Sequence, residues 1–581
     1  MSSEKSPYKT KIWLKSYDHF VPPEIDIEVY PLSEMLRRTV SEFPNKLCYD
    51  FMGTTATYFE YEENVIKFAN FLAKNGVKKG DRVAIHLPNC PQYMIALFGT
   101  FYAGCVSTGM NFLLKPNEII YQLKDSGAKA IITLDSFYDE AVEKALSSGQ
   151  TDVEIVITTN ITDLMKLSPI LKWLGKKLKK IPFGNVNPVK GIKYIDFKEI
   201  LENYPCDKGA MLTHALDPNK DLAFLQYTGG TTGPPKGAML THGNEITNIT
   251  QVLKWIEYDA EEGGEIFLSA FPFFHLAGMF LNLGAILYAS MQILVPDPRD
   301  LKHYIKMIKK YRPSIMACVP TLYLYLMNEP KFRNLDLSSI RAYISGAAPF
   351  ASETLREFER IVGEKMVIEV YGMTEGSPIV TSNPYLNERK IGTVGLPISN
   401  TEIKIVDVDD KEKEVPLGKP GEIVIKGPQI FKGYWNKPEE TKNALKDGWF
   451  YSGDVGVMDE DGYITIVDRT KDMIIVSGYK VFSVEVDDKM SKHPAIELCS
   501  TVGIPNPEKP GSELVKLFVL LKEGFPNNEA TKESILEFAR ENLSSYKVPK
   551  LIEISEDIPL TVVGKIDKKV LRAREREKAS K

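Results

Sequence analysis

A run of glycine, threonine and lysine residues from Tyr227 to Gly237 has the composition of a phosphate-binding loop. It reads YTGGTTGPPKG and directly follows Asp221 to Gln226, an apolar run that predicts a strand. Glycine lets backbone N–H groups approach an oxyanion closely, threonine hydroxyls add donors, and lysine adds a point charge. We therefore predict phosphate contacts from Thr228, Gly229, Gly230, Thr231, Thr232, Gly233 and Lys236.

The loop differs from two common nucleotide-binding patterns. Neither G-x-x-x-x-G-K-[ST] nor G-x-G-x-x-G occurs in the chain, which disfavours mononucleotide switch proteins and Rossmann dehydrogenases. A flexible linker has no need of three threonines and a lysine in this order. The pattern therefore favours another kind of phosphate chemistry.

Two acidic residues have the chemistry that a bound nucleotide requires. Glu375 is a hard oxygen ligand suited to Mg²⁺, and the hydroxyl of the adjacent Thr374 can contact a phosphate oxygen. Asp454 can accept both hydroxyls of a ribose. By residue type alone, Glu375 is equally a solvated turn residue, and Gly453 followed by Asp454 is more often a simple turn.

The elements that must position these groups alternate between strand and helix. Arg82 to His86 and Ala130 to Leu134 predict strands, whereas Asn64 to Asn75 and Pro91 to about Gly104 predict helices. This order is typical of a wound, largely parallel sheet, in which ligands bind at the carboxyl ends of the strands. After about Gly392, short apolar runs predict antiparallel strands at 402–406, 421–425 and 462–467.

Beyond Lys471 the pattern changes to a compact α+β unit, with strands near Val502 and over 514–521 and a helix over 532–543. We therefore predict an α/β fold with two domains. A large N-terminal domain of wound α/β subdomains plus a β-rich subdomain covers residues 1–470, and a small α+β C-terminal domain covers residues 471–581.

Composition limits the class of protein. The chain has 581 residues, a formal net charge of −5 and 26% charged residues, an ordinary globular balance that disfavours a nucleic-acid binder. Its six cysteines form no C-x-x-C pair, and we interpret them as small buried hydrophobes in a reducing compartment. Residues 1–20 contain charges throughout and no apolar core, which argues against a secretory signal, so we expect a cytoplasmic protein. The uncharged stretches 83–114 and 266–296 are interrupted by Pro, Gly and Asn and are interpreted as buried core.

The order of motifs resembles the adenylate-forming superfamily, which comprises acyl-CoA synthetases, peptide-synthetase adenylation domains and firefly-type luciferases. The resemblance rests on the loop above and on PFFH at 272–275, SGAAP at 345–349, YGMTE at 371–375, GE at 421–422, GYW at 433–435, YSGD at 451–454, DRTKD at 468–472 and PLTVVGK at 559–565. It extends from about residue 30 to residue 575. Members use ATP to convert a carboxylic acid to an acyl-adenylate with release of pyrophosphate, and the synthetases then transfer the acyl group to CoA.

The resemblance implies roles for single residues. Lys565 matches the lysine that bridges the substrate carboxylate and the α-phosphate in the transition state. His275 resembles a position near that carboxylate, although a histidine in an apolar run is as readily a core residue. Nucleotide contacts are implied for Arg469, for Gly346, Ala347 and Ala348 along the adenine, and for Tyr371 and Gly372 at the start of the YGMTE motif.

The resemblance also implies a mobile C-terminal domain that rotates about a hinge at Lys471 between the two half-reactions. Rotation would withdraw Lys565 and bring Gly478 to the tunnel that admits the CoA thiol. Ser483 stands where the family often has proline, which leaves the local loop geometry open. ATP and CoA are implied as cosubstrates, and Mg²⁺ is implied as the metal at Glu375. The resemblance is compatible with either a monomer or a homodimer.

Two glycines bear on the identity of the acid. Acetate-type members have tryptophan at the position of Gly372, so we expect a longer acyl pocket, and Gly230 also resembles long-chain members. We therefore expect a medium- or long-chain fatty acid. Two alternatives remain: the same chemistry on a short hydroxylated, branched or aryl acid or with a carrier-protein acceptor, and a non-catalytic acyl- or nucleotide-binding relative. The retained Lys565, Glu375 and Asp454 argue against the binder.

The segment 161–182 is amphipathic when it is drawn as a helix. One face carries Leu167, Leu171, Leu174, Leu178 and Ile181, and lysines and Trp173 lie on the other. Such a helix would suit peripheral contact with a membrane that supplies the fatty acid. We favour the simpler interpretation of a solvated helix packed on its own domain.

We predict that Glu375→Ala weakens the use of Mg-ATP, because it removes the carboxylate expected to hold the metal against the phosphates. Initial rates over a Mg²⁺ titration should show that more Mg²⁺ is needed for half-maximal activity. Unchanged kinetics over that titration would remove Glu375 from the metal site.

Overall fold

Two large, mostly parallel sheets dominate the fold. The computed structural model describes residues 6–207, 215–228, 234–477, 479–509, 512–561 and 565–579. Within these ranges the two sheets are joined by a smaller antiparallel sheet and by a C-terminal α+β unit. The predicted α/β class, with a large N-terminal and a smaller C-terminal domain, is confirmed.

The first third of the chain supplies most of a seven-stranded sheet and its helices. Its elements are α1 (Leu32–Glu42), β1 (Leu47–Phe51), β2 (Thr54–Thr57), α2 (Tyr58–Lys74), β3 (Arg82–His86), α3 (Pro91–Tyr102), β4 (Val106–Gly109), α4 (Pro116–Ser126), β5 (Ala128–Leu134), α5 (Asp135–Phe137), α6 (Glu143–Ser147), β6 (Ile155–Thr159), α7 (Pro169–Lys177), β7 (Lys193–Asp196), α8 (Phe197–Asn203), β8 (Leu222–Thr228) and β9 (Lys236–Thr241). The strand order is β7-β6-β5-β3-β4-β8-β9, and only β9 runs antiparallel to its neighbour.

The middle of the chain supplies a nine-stranded sheet of order β16-β15-β14-β13-β12-β10-β11-β1-β2. Its elements are α9 (His242–Ile256), β10 (Ile266–Ser269), α10 (Leu276–Leu287), β11 (Met291–Leu294), α11 (Leu301–Tyr311), β12 (Ile315–Cys318), α12 (Pro320–Asn328), α13 (Pro330–Arg333), β13 (Ala342–Ser345), α14 (Ser352–Val362), β14 (Val367–Gly372), β15 (Ile379–Ser382) and β16 (Leu396–Pro397). The strands from β1 to β14 along this order are parallel, so their carboxyl ends meet at one edge.

The last third is antiparallel at first and then α+β. Its elements are β17 (Glu402–Val406), β18 (Gly421–Lys426), α15 (Pro438–Ala444), β19 (Leu445–Lys446), β20 (Trp449–Met458), β21 (Ile464–Arg469), β22 (Ile474–Val476), β23 (Tyr479–Val481), α16 (Ser483–Met490), β24 (Ile496–Pro505), β25 (Glu513–Leu521), α17 (Glu529–Asn542), β26 (Leu551–Ile554) and α18 (Lys568–Ala579). The unit after β21 has its own core, which includes Val486, Leu517 and Ile535.

Local contacts explain where element bounds differ from the sequence prediction. The strand at Arg82–His86 has the predicted bounds. Helix α2 begins at Tyr58 instead of Asn64, because Thr57 and Glu60 form a capping box at its start. Strand β21 begins at Ile464, because Gly462 still belongs to a turn with φ of +88°.

The two uncharged stretches lie in the hydrophobic core, as predicted. The first forms α3, which is buried along its whole length, and the second forms α10 between two strands. Among the described residues no helix combines the length and apolar content needed to cross a bilayer. Five of the cysteines are buried free thiols, but Cys206 is exposed, so its assignment as a buried hydrophobe is wrong.

The segment 161–182 also differs from the sequence interpretation. Only Pro169–Lys177 is helical, with Pro169 at the first helical position and Lys179 in the left-handed region just after the end. None of the residues of this helix is buried. The helix is therefore solvated, as expected, but its leucines Leu171 and Leu174 are exposed and do not pack on the domain.

We predict that Gly278→Ala in α10 destabilises the protein by about 2 kcal/mol or more, because the added Cβ would lie 2.2 Å from the Pro272 carbonyl oxygen. The matched control is Gly284→Ala in the same helix, where the nearest atom is 3.7 Å away and alanine gains about 0.5–1 kcal/mol of helix propensity. Chemical denaturation of both variants checks this, and equal stability would contradict the crowding at Gly278.

Candidate active site

An ion pair between neighbouring strands organises the centre of the site. Asp454 on β20 and Arg469 on β21 are cross-strand partners, and Arg469 Nε lies 3.0 Å from Asp454 Oδ1. The Tyr371 hydroxyl, at the end of β14, donates to Asp454 Oδ2 at 2.7 Å. Each carboxylate oxygen keeps a further lone pair for a ligand hydroxyl. The antiparallel sheet and the nine-stranded sheet therefore meet at Asp454.

Lys565 reaches this centre from the C-terminal unit. Its backbone N–H donates to Thr561 Oγ1 at 3.1 Å. Burial and the nearby Arg469 lower the pKa of Lys565 to about 8, while Asp454 acts in the opposite direction. The structure therefore shows the orientation in which the C-terminal unit places this lysine on the N-terminal strands.

His275 lies on the same side of the site and is half-buried. Its Nδ1 accepts the Ala277 N–H at the start of α10, which leaves the proton on Nε2. Burial, and then the charge of Lys565, lower the pKa of His275 to about 3, so the imidazole is neutral. A neutral Nε2–H donor beside an ammonium suits a carboxylate ligand.

Glu375 lies in the turn between β14 and β15 with Thr374. Its Oε1 accepts the Tyr434 hydroxyl at 2.6 Å, and burial raises the pKa of the Glu375 carboxyl. Lys236 Nζ lies 4.8 Å from the centre of the Tyr434 ring. The predicted loop lysine and the predicted metal ligand are thus brought together by one tyrosine.

The described ends of the phosphate loop are Thr228 and Lys236, which are cross-strand partners on β8 and β9. The predicted contacts between them, Gly229, Gly230, Thr231, Thr232 and Gly233, lie outside the described residues, as does Gly478. The Trp435 backbone N–H donates to the Gly237 carbonyl at 2.8 Å, so the GYW motif pairs with strand β9.

Close backbone approach explains the glycines of the next two motifs. Gly346, Ala347 and Ala348 follow β13, and a Cβ at Gly346 would lie 2.9 Å from Val370 on β14. A Cβ at Gly372 would lie 1.8 Å from the Pro378 carbonyl oxygen. Glycine at 372 is therefore required by the backbone itself, a reason independent of acyl-pocket length.

Contacts from the C-terminal unit flank Lys471, which is exposed. Before it, Asp468 accepts the Ser483 backbone N–H and, at 3.1 Å, the Ser483 hydroxyl. After it, Asp472 accepts from Arg572 at 2.7 Å. Ser483 thus makes two hydrogen bonds that a proline could not make.

Lys568 is held inside the C-terminal unit by two side chains of α16. Its Nζ donates to Ser483 Oγ at 2.7 Å and pairs with Asp487 at 3.0 Å, while Lys569 beside it is exposed. Lys568 therefore fixes the start of α18 three residues after Lys565.

Sequence reasoning missed residues that act from distant elements. Asp125 on α4 accepts the Tyr227 hydroxyl at 2.6 Å and, through its backbone carbonyl, the Trp435 indole N–H at 3.1 Å. Asn248 on α9 holds both backbone groups of Ile379, at 2.7 and 3.0 Å, and so fixes the end of the Glu375 turn. No local pattern marks either residue, since their partners are more than 100 positions away.

The described residues contain no cluster of three or more His, Cys, Asp or Glu side chains able to hold a metal ion alone. A divalent cation at Glu375 would therefore share its coordination with the oxygens of a bound phosphate. That arrangement is usual for Mg²⁺ in nucleotide sites.

Comparison with known proteins agrees with this geometry. The model of the AMP-binding enzyme family matches residues 36–435, and that of the AMP-binding enzyme C-terminal domain matches residues 485–565. A long-chain-fatty-acid–CoA ligase of Bacillus subtilis is 36% identical over 98% of both chains. One of Escherichia coli O6:H1 is 37% identical over 98% of this chain and 99% of its own.

A solved anthranilate CoA ligase in complex with anthranoyl-AMP shares the fold, with a TM-score of 0.82 over 96% of this chain and 99% of that chain at 24% identity. The family match covers most of the motifs that meet at Asp454, Glu375 and Lys565. The chain belongs to the AMP-binding enzyme family.

Proposed function

We propose that the chain is an AMP-forming acyl-CoA synthetase for a medium- or long-chain fatty acid. It forms acyl-AMP and pyrophosphate from the acid and ATP, and then transfers the acyl group to CoA. The approach of Lys565 to the Asp454–Arg469 pair carries this proposal. The full-length similarity to ligases named for long-chain fatty acids supports the choice of acid.

In the first half-reaction a carboxylate oxygen forms a bond to the α-phosphorus, and the bond to pyrophosphate breaks. Two anions must meet, so the site has to offset negative charge. The Lys565 ammonium can follow the charge between the carboxylate and the α-phosphate, with Arg469 beside it and neutral His275 donating from the acyl side. Asp454 would accept the ribose hydroxyls, and Gly346, Ala347 and Ala348 would lie along the adenine.

We propose Mg²⁺ as the cation at Glu375. The carboxylate is a hard ligand whose burial favours a compensating cation, and Tyr434 holds it in place. The metal, when bound, offsets the charge of the phosphates that leave as pyrophosphate. Thr374 and the loop from Thr228 to Lys236 would supply the remaining phosphate contacts.

The second half-reaction requires Lys565 to leave so that the CoA thiol can attack the acyl carbonyl and expel AMP. We propose that residues 471–581 rotate about Lys471. Asp468, just before the hinge, holds the C-terminal unit through Ser483 and would define the adenylating orientation. The Asp472–Arg572 pair lies within residues 471–581 and would move with them. Gly478 would then line the CoA tunnel.

A fatty acid of this length partitions into lipid, so the proposal includes peripheral contact of the 161–182 segment with a membrane. The exposure of α7 supports it. The alternative is activation of a short or aryl acid, or transfer of the acyl group to a carrier protein. This alternative would use the same adenylation residues.

We predict that Lys565→Ala lowers acid-dependent ATP–pyrophosphate exchange by about 100-fold or more but spares thioester formation from supplied acyl-adenylate. The exposed Lys569→Ala is the matched control and should retain both steps. Equal loss of both steps in Lys565→Ala would contradict its role.

The lowered pKa of Lys565 predicts that the rate of adenylation depends on pH. Since burial lowers the pKa of Lys565 to about 8, kcat/KM for adenylation should fall as the pH rises through that value and the ammonium is lost. Lys565→Arg keeps its charge there, so its weaker activity should show no fall in that window. Identical pH profiles for lysine and arginine would assign the ionisation to another group.

We predict that ATP-dependent pyrophosphate release rises from acetate to long-chain fatty acids, because the longer chain buries more apolar surface. Acyl-CoA should form only when CoA is present. A panel that includes benzoate and hydroxylated short acids measures this. Faster turnover of an aryl or short acid would favour the alternative, and no release with any acid would refute the ligase.

A further inference from the structure

Helix α7 and the residues after it turn apolar side chains into solvent. Ser168 caps the helix by accepting the Leu171 N–H at 3.3 Å, so the helix is a defined element. The exposed fractions are 76% for Ile170, 61% for Trp173 and 55% for Leu171. Leu174, Leu178 and Phe183 are 41%, 56% and 53% exposed. We call residues 167–183 the apolar ridge.

The ridge is inverted relative to an ordinary surface helix, which turns its apolar face inward. Lys172 and Lys176 are half-buried, whereas the leucines beside them are exposed. Burial raises the pKa of the Asp135 carboxyl, and the charge of Lys176 opposes that rise, which places this lysine on the protein side. The exposed apolar face therefore has no partner among the described residues that covers it.

Hydrogen bonds fix the ridge at both ends. Before it, the Lys166 N–H donates to Thr54 Oγ1 at 3.1 Å. At its end, the Pro182 carbonyl accepts from Asn160 at 2.8 Å, and just beyond it the Asn185 N–H donates to Asp139 at 3.0 Å. The exposed apolar side chains therefore lie on a segment whose two ends are fixed by hydrogen bonds.

Charge identifies the kind of surface that fits. Six lysines lie between residues 166 and 180, and no Asp or Glu lies between 164 and 195, although the whole chain has a net charge of −5. Lys177 Nζ lies 4.9 Å from the Trp173 ring centre, so cation and aromatic ring are presented together. Basic residues around exposed leucine and tryptophan suit the headgroup boundary of an anionic bilayer.

We propose that the apolar ridge docks on an anionic lipid bilayer, with Leu171, Trp173 and Leu174 among the side chains that enter the headgroup boundary. A nucleic acid or acidic peptide would satisfy the lysines but leave this apolar surface in water. An anionic bilayer would pair with the lysines and also remove the apolar side chains from water. The docking mode is interfacial, since the helix has nine residues and cannot span.

A chain of hydrogen bonds links the end of the ridge to the turn that leads to His275. The Asn160 carbonyl accepts from Gln92, at the start of α3, at 3.1 Å. Just before α3, Asn89 bonds the backbone of Phe271 and Phe273, at 3.0 and 2.7 Å, in the turn that leads to His275. Docking would turn this edge toward a lipid-dissolved acid. Docking deepens the membrane contact included in the proposed function, and its consequence for the acid rests on that function.

The test is partition of the full chain, without ATP or CoA, onto phosphatidylcholine vesicles with and without phosphatidylglycerol. Wild-type protein should partition about tenfold more onto the anionic vesicles, and added salt should reverse this. The double variant Leu171→Glu with Leu174→Glu should lose about tenfold or more of that partition. Phe525→Glu, an equally exposed apolar site at 44%, is the matched control.

Trp173 supplies a second readout that needs no folding-sensitive substitution in the core. Anionic vesicles should shift its fluorescence to the blue, and Trp173→Phe should lose the shift. Equal binding to both vesicle types, no binding by the wild type, or full binding by the double variant would overturn the proposal. So would self-association without lipid that the double variant abolishes, which would assign the ridge to a second copy of the chain.

Ligase assays separate this inference from the proposed function. The double variant should retain activity on a water-soluble medium-chain acid. Vesicle binding with no ligase activity on any acid would refute the function and leave docking intact, and the reverse result would refute docking alone.

Discussion

The balance of charge around one carboxylate governs the site. Asp454 pairs with Arg469 and faces Lys565, so one carboxylate lies near two cations. Burial makes this arrangement costly, and the lowered pKa of Lys565 expresses that cost. A phosphate placed between the cations would offset that cost and raise the pKa of Lys565 again. The charges of Lys565 and Arg469 would therefore be better balanced by a bound anion than by Asp454 alone.

Backbone proximity is the second constraint on the site. Gly372 allows β14 and the Glu375 turn to lie closer than any side chain would permit, and Gly346 leaves room for the Val370 side chain of β14. Gly278 does the same where the His275 turn meets α10. Because the chemistry depends on loops at strand ends, these contacts set positions that the strands alone would leave loose. The same crowding weakens any inference of acyl length from Gly372.

Local sequence was sufficient for much of the fold. The strand at Arg82–His86 and the buried helix α3 follow from apolar runs that are bounded by turn-favouring residues. Helix α7 did not, because periodicity defines an apolar face without saying whether protein or solvent meets it. The contacts of Lys568 could not be read locally for a related reason: its partners Ser483 and Asp487 lie more than 80 residues away.

The sequence by itself determined which chemical groups are available. Short motifs in a recognisable order contain the glycine-threonine loop, Glu375, Asp454 and Lys565. Only the tertiary structure decided which of them meet. It placed Lys565 against strands β20 and β21, joined Glu375 to Lys236 through Tyr434, and turned the leucines of α7 outward. The physical reason is that these outcomes depend on long-range packing and burial, which no local pattern of residues specifies.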